Sequence, residues 1–376
     1  MKRLKLGMVG GGQGAFIGGV HRMAAALDGQ WDFVAGALSS NPERAKASGE
    51  ELGLAGERIY TSYEEMAKAE AARPDGIDAV AIVTPNHMHA GPAIAFLNAG
   101  IHVICDKPLA STMEEAEAMA KAVRDSGKLF ILTHNYSGYP LMRQAREMVA
   151  RGDLGKIRVV QVEYPQDWLT EAVSNKQADW RTDPQRSGAG GCVGDIGTHA
   201  FHLASYVTGL QTESLSADVS TFVTGRQVDD NIHVLLRFSG GARGMLWASQ
   251  VAPGHENGLR LRIYGEKASL EWAQAEPNQM HYAVFGHPVQ RLTRGGAGAT
   301  AAASRVTRIP AGHPEGYLEA FATLYREAAS LIRHADHGVP LPDGVETPGL
   351  EDGLNGMKFI AACLASSAKD AAWIAF

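Results

Sequence analysis

From residue 4 to residue 132 the chain alternates short apolar runs with segments of helical periodicity, and that alternation restricts the folds open to it. Leu4–Val9, Phe33–Leu38, Ile77–Val83, Ile101–Cys105 and Leu129–Leu132 read as buried strands. Between them Ala15–Leu27, Pro42–Leu52 and Ala90–Asn98 read as helices. Ser111-Thr112-Met113-Glu114-Glu115 opens a further helix with capping chemistry, ending near Gly127. Strands alternating with helices imply right-handed βαβ units around a parallel sheet.

The pattern changes after about residue 130, and a domain boundary is expected near residues 130–138. One helix, Pro140–Ala150, precedes a β-rich stretch. In Asp230–Phe238, Ile232, Val234, Leu236 and Phe238 share one face while Asn231, His233 and Arg237 share the other. Leu259–Ile263 alternates too, with Arg260 and Arg262 outward. Strands with one apolar and one polar face belong to antiparallel sheets. Gly295–Ala303 is low in complexity and reads as a mobile loop. Amphipathic helices over about Pro314–Ala335 and Leu350–Ala372 close the chain. The fold class is therefore α/β, and a length of 376 residues suggests two domains, 1–133 and 134–376.

Composition removes several classes of function. Lysine and arginine number 35 against 41 aspartates and glutamates, a net charge of −6, which suits phosphate-backbone binding poorly. No nucleic-acid partner is expected. No apolar run reaches the roughly 20 residues of a membrane span. The start, Met1-Lys2-Arg3-Leu4-Lys5, is basic like a signal sequence, but glycines from Gly7 to Gly14 break any apolar stretch behind it. Three widely spaced cysteines, Cys105, Cys192 and Cys363, give neither a disulfide framework nor a structural zinc site. A cytoplasmic location is the default.

Several motifs carry chemistry. Gly10-Gly11-Gly12-Gln13-Gly14-Ala15 follows the first strand and fits G-x-G-x-x-A. In that pattern Gly10 permits the tight turn, Gly12 lets the backbone approach a pyrophosphate and Ala15 lets the helix pack on the strand. The second strand ends Ala37-Leu38-Ser39-Ser40-Asn41-Pro42-Glu43-Arg44 with no acid at its tip. Ser39, Ser40 and Arg44 tolerate a 2′-phosphate, so NAD and NADP both stay open. Thr84-Pro85-Asn86-His87-Met88-His89 forms an irregular turn at the carboxyl end of a buried strand, where ligands of open α/β sheets bind. Cys105-Asp106-Lys107-Pro108 ends the next strand, placing Lys107 where it can stabilise an alkoxide.

A fifth motif runs from Gly188 to His202, a glycine-rich loop feeding a helix. Asp195 and His199 stand at i and i+4, with His202 at i+7. Asp195 can orient His199 and raise its basicity, as an acid–base pair requires. The same three residues also fit a metal site, or a satisfied polar helix face.

Taken together these motifs resemble the Gfo/Idh/MocA oxidoreductases, the glucose–fructose oxidoreductase and inositol 2-dehydrogenase family. Gly10–Ala15 is similar to its nucleotide loop and Thr84-Pro85-Asn86 to its nicotinamide-side turn. Asp106-Lys107-Pro108 resembles its E-K-P signature with Asp for Glu, and Asp195-x-x-x-His199 its D-x-x-x-H. Pro348–Trp373 looks like the family's terminal helix. Gly36–Pro42 and the GGGQGAF loop resemble a subgroup that includes levoglucosan and glycoside 3-dehydrogenases.

The resemblance implies an N-terminal Rossmann domain and a C-terminal α+β domain whose large open, mostly antiparallel sheet builds a homodimer or homotetramer. It implies NAD(P)-dependent oxidation of a secondary hydroxyl on a sugar, anhydrosugar, glycoside or cyclitol, without a metal. Lys107, Asp195 and His199 are then the catalytic set. The cofactor falls to Gly10, Gly12, Gln13, Gly14, Ala15, Ser39, Ser40, Arg44, Thr84, Pro85, Asn86, His89, Asp106 and Lys107. Beside the catalytic set, substrate contacts are expected from Tyr136, Asp167, Trp168, Trp180, Arg181 and His313, each of which also fits a cap or core role. Two other readings stand beside this one. The first is a dinucleotide-binding regulator without catalysis, and the second a metal-dependent lyase or hydrolase using Asp195, His199 and His202.

Overall fold

The computed structural model describes residues 2–376, apart from the side chain of Lys176, so Met1 of the basic start lies outside the description. The chain forms two compact units. The first runs through Asn135 and takes back Tyr317–Leu354. The second comprises Tyr136–Gly316 and Asn355–Phe376.

In the first unit the elements are β1 (Leu4–Gly10), α1 (Phe16–Leu27), β2 (Trp31–Ala37), α2 (Pro42–Glu51), α3 (Tyr63–Ala72), β3 (Ala79–Val83), α4 (Ala90–Asn98), β4 (His102–Cys105), α5 (Met113–Ser126) and β5 (Phe130–Leu132). The strands form a parallel sheet in the order β2-β1-β3-β4-β5. Every residue of β3, β4 and β5 is buried, because helices cover both faces of a parallel sheet. Start and stop chemistry is local. Thr112 and Glu115 close a capping box on α5, and Gly127 ends it in the left-handed region. Asn41 accepts the Arg44 amide at 2.8 Å to begin α2.

The second unit contains α6 (Pro140–Ala150), β6 (Ile157–Pro165), α7 (Lys176–Arg181), α8 (Pro184–Ser187), α9 (Thr198–Thr208), β7 (Thr212–Ser220), β8 (Asn231–Phe238), β9 (Arg243–Ser249), β10 (Arg260–Gly265), β11 (Ala268–Ala273), β12 (Gln279–Val284), β13 (Gln290–Thr293) and α10 (Ala301–Val306). Then α11 (Tyr317–His337) returns to the first unit, α12 (Leu350–Ser367) leaves it at Leu354, and β14 (Ile374–Ala375) ends the chain. Nine strands line up as β13-β12-β11-β10-β6-β9-β8-β7-β14. All neighbours are antiparallel except β6 and β9. The apolar faces of β8 and β9, with Ile232, Val234, Leu236, Leu246 and Ala248 all buried, form the core side.

Three expectations need correction. The division is not a single cut after residue 133: α11 joins the first unit, because Phe321, Tyr325, Ala328 and Ile332 share one core with Val20, Ala24 and Trp31. Pro348 also accepts the Leu132 amide at 3.0 Å, beside β5. Gly295–Ala303 is not wholly a loop, since Thr300 caps α10 and Glu147 of α6 accepts the Ala302 amide at 3.0 Å. Asn231 lies on the polar face of β8 yet is buried, accepting from the Trp247 indole at 3.0 Å. Among the described residues no helix is long and apolar enough to cross a membrane.

Candidate active site

In the first unit the parallel register aligns the strand tips. Val9 pairs with Ile82, and Ile82 with Cys105, so Gly10, Thr84 and Asp106 end neighbouring strands. The strand order reverses between β1 and β3, the switch point where such sheets bind ligands. Gly10, Gly11 and Gly14 all have φ between +72° and +80°, which glycine adopts without strain. A methyl group at Gly12 would stand 2.6 Å from the Leu38 carbonyl oxygen. The loop thus lies bare at the start of the twelve-residue α1, which has no side-chain cap. A glycine loop without side chains and the dipole of the helix it feeds suit a pyrophosphate, so the residues present fit a dinucleotide.

Other expected cofactor residues behave differently. Gln13 is pinned, its amide to Ser48 at 3.1 Å and its side chain to Glu51 at 2.8 Å. Ala15 stands at the N-cap of α1, and Gly18 makes the close contact between α1 and the glycine loop, because its Cβ would fall 2.4 Å from the Gly11 Cα. Ser40 and Arg44 are exposed beyond the end of β2, while Ser39 accepts the Asn41 amide at 3.2 Å. Pro85 leads into a 3₁₀ turn over Asn86–Met88, Asn86 is buried, and Thr84 Oγ1 donates to the Met88 carbonyl at 2.9 Å. His89 is buried with Nδ1 2.8 Å from the Pro108 carbonyl and Nε2 3.0 Å from the Thr84 carbonyl. It joins the turn after β3 to the turn after β4. Burial pushes its pKa down against the opposing charge of Asp106. Asp106 accepts from the Lys107 amide and from Thr133 Oγ1, each at 2.9 Å, which fixes the backbone that carries Lys107.

In the second unit His199 lies in the first turn of α9, but Asp195 does not lie on a regular α-helix. Val193–Gly197 is a π-helical turn that runs straight into α9, and such wide turns cluster at functional sites. The Asp195 carboxylate accepts from Arg181 Nε at 3.2 Å and from Gln250 Nε2 at 2.9 Å. Arg181 lies over the Trp180 ring at 4.2 Å and near the Trp168 ring at 5.9 Å. His199 is buried and meets the Tyr136 ring edge-on at 4.9 Å and the Tyr164 ring at 6.2 Å. Tyr136 and Tyr164 share a hydrogen bond, and Tyr164 donates onward to Asn257 at 2.8 Å. Burial raises the Tyr136 pKa, and the Asp195 charge pushes the same way.

The structure therefore gathers Tyr136, Trp168, Trp180, Arg181, Asp195 and His199. It also adds Tyr164, Gln250 and Asn257, which lie far off in sequence with no motif around them. Asp167 accepts the Gly254 amide at 3.2 Å. His313 is exposed on a loop whose carbonyls Arg294 binds. His202 stacks on Tyr206 at 5.9 Å. Among the described residues no group of three or more His, Cys, Asp or Glu could hold a metal ion. The arrangement offers a buried imidazole, a carboxylate neutralised by a guanidinium, and aromatic faces, which together suit a polyhydroxylated ring.

The family model described as "Oxidoreductase family, NAD-binding Rossmann fold" matches residues 4–134. The model "GFO/IDH/MocA C-terminal domain" matches residues 142–271. An oxidoreductase from Sinorhizobium meliloti is 54% identical in structure-based comparison, covering 100% of both chains with a TM-score of 0.91. An inositol dehydrogenase homologue from Azotobacter vinelandii, solved with NADH and myo-inositol, is 35% identical. That match covers 100% of this chain and 98% of the other with a TM-score of 0.94. Levoglucosan dehydrogenase of Pseudarthrobacter phenanthrenivorans is 29% identical over 100% of this chain and 98% of its own.

Proposed function

The chain belongs to the Gfo/Idh/MocA family of oxidoreductases, and on that premise we propose that it oxidises a secondary hydroxyl of a cyclitol or sugar with NAD as hydride acceptor. The observation that carries the reading is the buried His199 against the Tyr136 and Tyr164 rings, four residues after an Asp195 paired with Arg181. When bound, the nicotinamide supplies the hydride-accepting carbon. His199 takes the hydroxyl proton. The Asp195–Arg181–Gln250 set holds the turn and offers polar contacts to neighbouring hydroxyls. Lys107 stabilises the alkoxide as its charge develops. Trp168 and Trp180 present faces that suit the C–H surface of a sugar ring.

A cyclitol is favoured over an anhydrosugar because, among the solved structures, identity to the inositol dehydrogenase homologue bound to myo-inositol, 35%, exceeds that to levoglucosan dehydrogenase, 28%. No carboxylate at the end of β2 excludes a 2′-phosphate, so the test includes NADP. We also assign the exposed face of the second unit's sheet to a homodimer or homotetramer.

The experiment is a spectrophotometric panel of NAD and NADP against myo-inositol, other cyclitols, aldoses, levoglucosan and glycosides. NADH formation with at least one polyol is expected. Silence across the panel, with NAD still bound, would make the chain a dinucleotide-binding sensor. On the active pair, His199→Ala and Lys107→Ala should each lower kcat by about 10²–10⁴-fold. Near-normal turnover in either variant removes that residue from the reaction.

A further inference from the structure

Three consecutive amides of the glycine-rich segment point at one residue. Gly191 N donates to Asp229 Oδ1 at 2.6 Å, and Val193 N to Asp229 Oδ2 at 2.7 Å. Between them Cys192 N donates to the Asp229 carbonyl at 2.9 Å. The turn so held is the one that carries Asp195, whose own amide bonds back to the Gly191 carbonyl at 2.9 Å. A helix start needs acceptors for its first amides. Here Cys192 supplies no side-chain cap, and the acceptor arrives from the residue two before β8. A side chain at Gly191 is impossible, since its Cβ would stand 2.3 Å from the Asp229 carbonyl oxygen.

We propose that Asp229 is a positioning residue, whose ionised carboxylate fixes this turn and thereby sets where Asp195 and His199 present their side chains. This rests on the reading of Asp195 and His199 as the polar and acid–base groups of the site. Both carboxylate oxygens must be acceptors to hold two amides. A neutral carboxyl places an O–H on one oxygen, where an N–H already points, so one bond is lost and the turn loosens.

Asp229 is buried among few charges. Asp230 adjoins it and pairs with Arg226, Cys192 lies on the turn, Cys363 comes from α12, and Asp195 follows on the turn. Burial raises both thiols well above their ordinary range, so neither carries charge near neutrality. Burial likewise pushes the Asp229 carboxyl up to about 6, with Asp230 adding to it and the Val193 and Gly191 amides opposing.

The first test is hydrogen exchange of the wild-type Gly191 and Val193 amides from pH 7.5 to 5, corrected for intrinsic exchange. Protection should fall about tenfold as pH drops through about 6, the scale of one charge-assisted hydrogen bond. Unchanged protection across that range overturns the proposal. The second test is Asp229→Asn, assayed with NAD and the polyol oxidised best in the panel. At pH 7.5 kcat should fall about tenfold with the KM for NAD unchanged. The ratio of wild-type to variant kcat should shrink toward one as pH falls through about 6, because the wild-type carboxyl then becomes neutral too. A pH-independent ratio would leave Asp229 a structural residue only and overturn the proposal. Normal turnover in His199→Ala would instead sink the acid–base reading, and the exchange result would still decide the role of Asp229 in the turn.

Discussion

A missing methyl group decides how closely α1 approaches the loop that follows β1. At Gly18 a Cβ would lie 2.4 Å from the Gly11 Cα and 2.6 Å from the Gly11 carbonyl oxygen, and neither backbone atom can swing aside. Gly19, next in the same helix, has nothing within 4 Å of its would-be Cβ. The two glycines therefore answer differently to one substitution. Gly18→Ala should cost about 1–3 kcal/mol by overpacking and weaken NAD binding about tenfold, because α1 and the Gly10–Ala15 loop move together. Gly19→Ala should stabilise by roughly 0.5–1 kcal/mol through helix propensity alone. Thermal melts and cofactor titration of both variants check this, and equal behaviour would contradict it. At this scale the glycine loop and the i, i+4 spacing of Asp195 and His199 are legible, because each sits in a contiguous motif, while the role of Lys107 rests on the proposed function. The Gly18 contact is not legible, since the third position of the motif fell on Ala15 while the helix starts only at Phe16. Asp229 and Gln250 were hidden for another reason. Each lies just beyond the end of a strand and meets its partner only in the folded chain, and nothing near it in sequence marks the contact.

Among the elements, alternation located β8 and β10 because a half-buried strand writes its burial into every second residue. It could not rank the strands across the sheet, where β6 sits between β9 and β10. That order brings Val159 opposite Tyr264, and Leu235 opposite Met245. All four are exposed large apolar residues on one face, with Leu235 at 52% and Met245 at 44% exposure. Burying such side chains against a second copy would gain roughly 1.5–3 kcal/mol each, and two-fold symmetry would count each twice. Light scattering should therefore give the wild type the mass of a dimer or tetramer. Leu235→Glu with Met245→Lys should halve that mass or more while leaving circular dichroism unchanged, since neither side chain touches the core face. A monomeric wild type would end the assignment. The Gly295–Ala303 segment misled composition in the opposite sense. Its alanines read as low complexity, yet Thr300 and Glu147 give α10 a cap and an anchor that only the folded chain provides.

Across the whole molecule the two units carry buried titratable groups of opposite sense. In the first unit His21 is fully buried against the Tyr325 hydroxyl at 2.8 Å, and burial lowers its pKa to about 4. His89 and His102 are lowered by burial as well. A folded histidine held neutral binds no proton where the unfolded one does. Stability from His21 is thus present above about pH 6.5 and lost as pH falls toward 4, by roughly 3 kcal/mol in all. In the second unit Asp229 is raised to about 6, so the folded chain keeps a proton there that the unfolded chain releases. Its contribution is fully present below about pH 4 and is lost as pH rises through 6. Acidification from pH 6.5 to 4.5 should therefore weaken the first unit relative to the second, even as the amides of the Asp229 turn loosen locally. Hydrogen exchange resolves the two, because local opening reports each unit separately. Protection at Val20, His21 and Ala24 in α1 should fall more steeply over that range than protection at Val234 and Leu236 in β8. The same comparison in Tyr325→Phe, where His21 loses its partner and opens more readily to water, should show a shallower fall in α1. Parallel losses in both units would mean that burial of His21 and Asp229 does not govern the acid response.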